Sequence, residues 1–329
     1  MKTTSKTICV IGSAATIVAG LGLFVLWRVM FGVVHETSDT PFETVSFGET
    51  ENLRIAIRDH REIVVETDQN GLTLLHSAAE KKQLEAVNLL IAAGATVDAR
   101  DNLARTPLYL AASAGAEDIV KVLLERGADC NARFRLPIPA ETPPEIDPGL
   151  FEGDSVLEAA ASGGHHRVVK LLLDHEAVPH ALDRPHRRSA LHAACDWRIA
   201  PDDPANPANA GNRLVIDILA RYVDWKSENA AGETPLHLAV SRGNVVMVRH
   251  ILETYDTINL DSQDFNGDTP LHRVLQKEGE PSDGLVEIVE LLLRHGARRD
   301  VANNQGVTPL ERTRRLNNPR LAQLLLESQ

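Results

Sequence analysis

A short motif that recurs about every 33 residues constrains the fold of this chain more than any other feature. Each copy has Thr or Ser followed two residues later by Leu, most fully as Thr-Pro-Leu-His. A hydroxyl side chain that can cap a helix, followed by a proline in its first turn, is typical of a helix start. The motif therefore predicts an all-α array of small units, each packed only against its neighbours. Its copies begin at Thr73, Thr106, Ser155, Ser189, Thr234, Thr269 and Thr308.

Apolar stretches follow the motif at matching distances and predict a second helix in each unit. Examples are residues 119–124, 168–173 and 245–252. A glycine stands two residues before the Thr or Ser in five of the seven copies, whereas Ala104 and Arg187 stand there in the other two.

These features resemble the ankyrin repeat over residues 68–329. The resemblance implies seven helix-turn-helix units with β-hairpin-like fingers between them. It also implies that the motif threonine caps the first helix, and that the motif histidine is buried, bonding the threonine hydroxyl and neighbouring backbone so that adjacent repeats are tied together. The residues assigned to this structural role are Thr73, His76, Thr106, His192, Thr234, His237, Thr269, His272 and Thr308.

The repeat domain is predicted to span residues 47–329. Residues 47–67 lack the motif and are interpreted as a degenerate N-terminal cap, preceded by a linker at residues 35–46. Three stretches interrupt the repeats and are predicted to be inserted loops, which in such an array are either functional or merely tolerated. They are residues 134–152, 199–212 and 277–284.

The N-terminus predicts a membrane anchor. After a short tail at residues 1–7, residues 8–34 form an apolar segment whose only charge is Arg28. Twenty helical residues span about 30 Å, the thickness of a hydrocarbon core. Lys2 and Lys6 favour a cytoplasmic N-terminus, which would place the repeats on the non-cytoplasmic side. The alternative is a cleaved signal peptide, although its apolar region would be shorter and a small-residue cleavage site would follow.

Composition argues against several functions. The 34 Lys and Arg face 46 Asp and Glu, and three of those basic residues lie in the first 34 positions, which leaves the remainder with a net charge of about −15. Such a body is not expected to bind nucleic acid. The Cys and His spacings do not suggest a metal site, and no phosphate-binding or nucleophile motif occurs. We therefore expect no enzyme activity, no cofactor and no small-molecule substrate.

A local cluster of arginines is unusual in so acidic a chain and predicts a contact with an acidic partner segment. The alternative is local pairing with Asp98, Asp101, Asp129 and Asp183. Phe265, aligned with a finger tip, is a further contact candidate, whereas Trp225 aligns with a finger root and is expected to pack internally. The arginines lie on or near three successive fingers and are Arg100, Arg133, Arg135, Arg184, Arg187 and Arg188.

The resemblance and the anchor together predict a single-pass membrane protein that binds or scaffolds another protein through the concave surface and fingers of its repeats. Two alternatives remain at this point. One is a secreted or periplasmic binder that has lost its N-terminus, and the other is a structural subunit of a membrane complex.

Overall fold

The computed structural model describes residues 42, 45, 50–135, 152–180, 187–196, 207–276, 283–315 and 319–327. The predicted anchor at residues 8–34 and nearly all of the 35–46 linker lie outside these ranges. Within the described ranges, no helix combines the length and apolar character that crossing a membrane requires.

The chain divides into two compact units, Met1–Ala95 and Thr96–Gln329, where the sequence predicted one repeat domain over residues 47–329. In the first unit, Leu53 and Ile63 are buried by helices that replace the motif in the predicted cap. Its described helices are α1 (Thr50–Asp59), a 3-10 turn (Arg61–Val64), α2 (Leu74–Glu80) and α3 (Leu84–Ala92).

The second unit repeats a pair of short helices, and each motif begins the first helix of a pair. Its first two pairs flank the two-stranded antiparallel sheet described below. The elements are α4 (Pro107–Ala114), α5 (Glu117–Glu125), β1 (Arg133–Arg135), β2 (Glu152–Ser155), α6 (Val156–Ser162), α7 (His166–Asp174), α8 (Ala190–Cys195), α9 (Pro207–Leu219), α10 (Pro235–Arg242), α11 (Val245–Thr254), α12 (Pro270–Val274), α13 (Asp283–Arg294), α14 (Pro309–Arg315) and α15 (Pro319–Glu327).

Local chemistry explains why the helices begin at the motif. The Thr106 hydroxyl accepts a hydrogen bond from the backbone N–H of Tyr109 at 3.2 Å, and Pro107 occupies the first turn, where no donor is lost. Ala111 and Ala112 are fully buried, since their small side chains let the second helix of the unit approach closely. Leu123 and Val120 then fill the space between the two helices.

Two predicted insertions are partly helical in the structure. Helix α9 begins at Pro207, so residues 207–212 of the predicted 199–212 loop are helical. Helix α13 begins at Asp283 within the predicted 277–284 loop. The predicted 134–152 insertion begins and ends in strands, because β1 pairs with β2 across it. The remaining residues of these three stretches lie outside the described ranges.

Candidate protein-binding surface

The motif histidines form a hydrogen-bonded ladder between successive repeats. The Nδ1 atom of His237 accepts hydrogen bonds from the backbone N–H of Thr234 at 3.1 Å and from the Thr234 hydroxyl at 2.8 Å. Its Nε2 atom donates to the carbonyl of Asp268, which belongs to the next repeat, at 3.0 Å. Because Nδ1 accepts, the imidazole is the neutral Nε2–H tautomer. The same bond joins His192 to the Glu233 carbonyl and His272 to the Val307 carbonyl, each at 3.0 Å.

Burial favours the neutral imidazole further. His237 and His272 are fully buried, and burial lowers the pKa of both side chains below the usual value of 6.5. Both ring nitrogens of each histidine are hydrogen-bonded within the protein. In the first unit, the Nδ1 atom of His76 accepts from the backbone N–H of Thr73 at 3.1 Å. At the last motif, the Thr308 hydroxyl caps helix α14 through the backbone N–H of Glu311.

Three of the seven repeats lack the histidine, and besides the last one, which has Glu311, two stabilise the same position differently. Glu158 is fully buried and accepts from the backbone N–H of Ser155 at 2.6 Å. Tyr109 packs its ring against Phe134 of β1, with 5.7 Å between the ring centroids. Burial raises the pKa of the Tyr109 hydroxyl, so it remains protonated.

The sheet formed by β1 and β2, called the ribbon below, turns the base of the 134–152 insertion into ordered structure. The Arg133 guanidinium donates to the Gly153 carbonyl at 3.1 Å and lies 3.9 Å from the Glu158 carboxylate. The Phe134 ring covers Gly153, and a side chain on that glycine would overlap the ring. The backbone N–H of Arg135 donates to the Leu103 carbonyl at 2.6 Å, which joins the ribbon to the preceding finger.

Arg188 is held by two carboxylates, one of which belongs to the ribbon. Its guanidinium lies 2.9 Å from Asp154 of β2 and 3.2 Å from Asp196. Asp196 also pairs with Arg242 of the next repeat. Arg188 and Arg133 are therefore engaged internally, through groups other than the four aspartates that the sequence suggested.

The aspartates that the sequence suggested as local ion-pair partners of the arginine cluster have other contacts. Asp98 accepts from the backbone N–H of Asp129, and Asp101 accepts from backbone groups of its own turn while pairing with Arg105 at 2.7 Å. Neither pairs with an arginine of the predicted cluster. Asp183 lies outside the described residues.

The predicted arginine cluster consequently splits into two groups. Arg100, Arg135 and Arg187 are exposed, and none of their side chains has a hydrogen bond or ion pair within the described part of the chain. Arg133 and Arg188 are the two engaged arginines, and Arg184 lies outside the described residues. These three exposed arginines are all close in sequence to residues that form or contact the ribbon. Arg135 lies on the ribbon, Arg100 precedes the finger that is hydrogen-bonded to it, and Arg187 is next to Arg188, which pairs with Asp154 of the ribbon.

Carboxylates under the later fingers are also neutralised. Arg273 lies 2.6 Å from Glu233 and 2.7 Å from Asp264. Arg312 lies 3.0 Å from Asp268, which also accepts from the Asn303 side-chain amide at 2.8 Å. Burial opposes ionisation of Asp268, but the hydrogen bonds from Arg312 and Asn303 lower its pKa below the usual value.

The two aromatic candidates differ in environment. Trp225 is buried and its ring packs against Tyr255, with 5.1 Å between centroids. Phe265 is 65% exposed at a finger tip. Sequence alignment placed both residues in these positions, although it could not give their packing partners.

A cavity of about 470 Å³ lies among helices α9, α11 and α13. Arg249 in its wall pairs with Glu253 and Glu287. Arg213 lines the same cavity and has no hydrogen bond or ion pair within the described residues. Cationic and acidic groups are mixed in this wall, and within the described ranges no three His, Cys, Asp or Glu side chains are grouped as metal ligands.

Family models match most of the repeats. The description "Ankyrin repeats (3 copies)" matches residues 43–134 and 207–282, and "Ankyrin repeat" matches residues 152–184 and 266–304. The crystal structure of the human ASB11 ankyrin repeat domain is similar, with a TM-score of 0.58 and 27% identity. It covers 78% of this chain and 97% of that one.

Curated relatives match along much of the chain. The nuclear factor NF-kappa-B p105 subunit of Gallus gallus is 26% identical over 270 residues, which are 80% of this chain and 24% of the relative. Inversin of Homo sapiens is 28% identical over 219 residues, 60% of this chain and 20% of the relative. The chain thus spans about a quarter or less of these relatives.

Proposed function

The chain belongs to the ankyrin-repeat family, a family of protein-interaction modules, and we propose that it acts as a membrane-tethered module that holds an acidic partner protein. The observation that supports this most strongly is the contrast between the motif and the fingers. Polar groups of the motif form buried hydrogen bonds within the protein, as at His237, whereas three arginines at the fingers are exposed and make no hydrogen bond or ion pair within the described residues. The proposal assigns no catalytic step to the module.

The partner's acidic segment is proposed to contact Arg100, Arg135 and Arg187. Arginine presents a planar fork of donors that matches a carboxylate, and these three guanidinium groups have no internal carboxylate among the described residues. Because the whole chain carries a net charge of −12, a local cationic surface would orient a partner more than it would attract acidic proteins in general.

The tether is proposed from the sequence of residues 8–34, whose length and lack of acidic residues suit a membrane-spanning helix. The lysines before it favour repeats on the non-cytoplasmic side. The secreted binder and the structural subunit are the competing proposals. Washing membranes with alkali separates the first, since a tethered chain stays with the membrane and a processed one is released. Exchanging the span for an unrelated apolar sequence would abolish function only in a structural subunit.

The acidic partner is tested by charge reversal in the full chain. Changing Arg100, Arg135 and Arg187 to Glu should weaken crosslinking and affinity capture of the partner from membranes, and should flatten the salt dependence of that capture. Folding should be nearly unchanged, because these side chains are exposed and surface substitutions of this kind usually shift stability by less than about 0.5 kcal/mol.

The matched control changes three other exposed cations to Glu. These cations lie on or after the second helices of their repeats, away from the fingers. If this control reduces capture as much as the finger reversals do, the effect is one of net charge and the proposed site is wrong. The control residues are Lys121, Arg126 and Arg221.

A further inference from the structure

The tips of the last three fingers form an uncharged surface that differs from the cationic early fingers. We call this surface the finger ridge. Phe265 stands at its centre, and its 65% exposure exceeds that of the other large apolar side chains in the described part of the chain. The ridge consists of Ala230, Ala231, Phe265, Asn266, Asn304 and Gln305, all of which are exposed.

The backbone under Phe265 is fixed on both sides. Its N–H donates to the Ala231 carbonyl of the preceding finger at 3.0 Å, and its carbonyl accepts from the Asn304 side-chain amide of the following finger at 2.9 Å. The ring lies over Gly232, where a Cβ atom would stand 2.5 Å from the ring. An aromatic side chain seated in this way loses little conformational freedom when a partner covers it.

The six ridge residues carry no charge, and the carboxylates near Phe265 in the chain are buried and paired. Asp264 is 4% exposed and lies against Arg273, and Asp268 is 3% exposed and lies against Arg312. Glu228, two residues before Ala230, is an exposed carboxylate outside the ridge. At Phe265 itself, a charged partner segment would lose its hydration without gaining an opposite charge. An apolar side chain would instead bury Phe265, and the backbone of the same segment would hydrogen-bond the side-chain amides of Asn266 and Asn304.

We propose that the finger ridge binds an uncharged, apolar segment of a partner protein, with Phe265 as the anchor of the contact. This rests on the proposed protein-binding function and adds a second contact to it, distinct in chemistry from the acidic segment at the early fingers. One partner can present both segments, since the two surfaces do not share residues.

The test places the photo-crosslinking residue p-benzoylphenylalanine at position 265 of the full chain, in membranes. The control places it at Tyr222, which is 56% exposed but lies outside the ridge. Position 265 should give a discrete crosslinked partner whose joined peptide, sequenced by mass spectrometry, carries apolar side chains and no net charge. The yield should be similar at about 50 mM and about 500 mM NaCl. An acidic or basic peptide, equal yields at both positions, or no crosslink at position 265 would overturn the proposal.

Substitution separates this proposal from the acidic-partner proposal. Phe265→Ser should reduce capture about 10-fold, because interface anchors dominate binding, and Phe265→Leu should restore part of it. If Phe265→Ser leaves capture intact while the arginine reversals abolish it, the ridge is wrong and the acidic contact stands. The opposite pattern keeps the ridge and removes the acidic contact.

Discussion

Replacing His237 with alanine should destabilise the repeats without removing a ligand site. The imidazole makes three buried hydrogen bonds, two from Thr234 and one to the Asp268 carbonyl. Alanine leaves the Thr234 N–H buried without this partner, at about 1 to 2 kcal/mol. The Asp268 carbonyl keeps its bond from the backbone N–H of Asp264, so losing the imidazole costs it about 1 kcal/mol. Loss of imidazole packing adds about 1 kcal/mol. The expected decrease in the free energy of unfolding is therefore about 3 to 4 kcal/mol.

Denaturant unfolding of the full chain in mild detergent measures this effect, with far-ultraviolet circular dichroism as the signal. Amide hydrogen exchange should show faster exchange in helices α10 and α12, because the lost bond joins their repeats. His180→Ala is the control, since His180 is exposed and its side chain has no hydrogen bond within the described residues. The control should shift stability by less than about 0.5 kcal/mol.

If His237→Ala leaves the unfolding midpoint unchanged but abolishes partner capture, the histidine contacts a ligand and the hydrogen-bond ladder does not hold the repeats together. If both histidine variants lose the same stability, the loss does not come from the buried bonds.

The remaining predictions concern pH and backbone geometry. Burial lowers the pKa of His237 in the folded chain, so the unfolded chain binds a proton at this histidine at higher pH than the folded chain does. The stability from His237 should therefore be fully present above about pH 6.5 and decrease as the pH falls below it. A series of unfolding midpoints at different pH values measures this. The lowered pKa of Asp268 gives stability that is present above its usual value of 3.8 and lost on further acidification, a second step in that series that Asp268→Asn should remove. Arg187→Gly should raise the free energy of unfolding by about 1 kcal/mol, because Arg187 has a φ of +50° where most copies of the motif have glycine. A decrease would show that the Arg187 side chain stabilises the fold by more than its backbone strain destabilises it. Gly232→Ala should lower it by about 1 to 3 kcal/mol, because its φ is +75° and the new methyl group would press on Phe265; calorimetry that finds no change would mean that the finger yields.

The sequence predicted the elements whose signals are local. The motif carries its own cap, proline and apolar positions, so the start of helix α10 at Pro235 follows from a few consecutive residues. The glycine of the other copies is replaced by Ala104 and Arg187 in two of them, and the structure shows that both of these residues have a positive φ.

Long-range pairings were beyond the sequence. Strands β1 and β2 are joined across a register irregularity, and their short apolar content gave no strand signal. The ion pair between Arg188 and Asp154 joins residues 34 positions apart, and that between Arg242 and Asp196 joins residues 46 apart. The sequence therefore located the cluster of arginines but did not distinguish those that form internal ion pairs from those that are exposed without one. Only the fold determines which carboxylates lie within reach of each arginine.

If the fingers bind a protein while the motif residues only hold the repeats together, a bound partner should protect the fingers and leave the second helices unchanged. Amide hydrogen exchange of the full chain, with and without the partner captured from membranes, measures this. We expect partner-dependent protection at residues 100–105, 133–135, 187–188 and 264–267, with little change in helices α5, α7 and α11. Protection confined to those helices, with unchanged exchange at the fingers, would show that the partner does not bind the fingers.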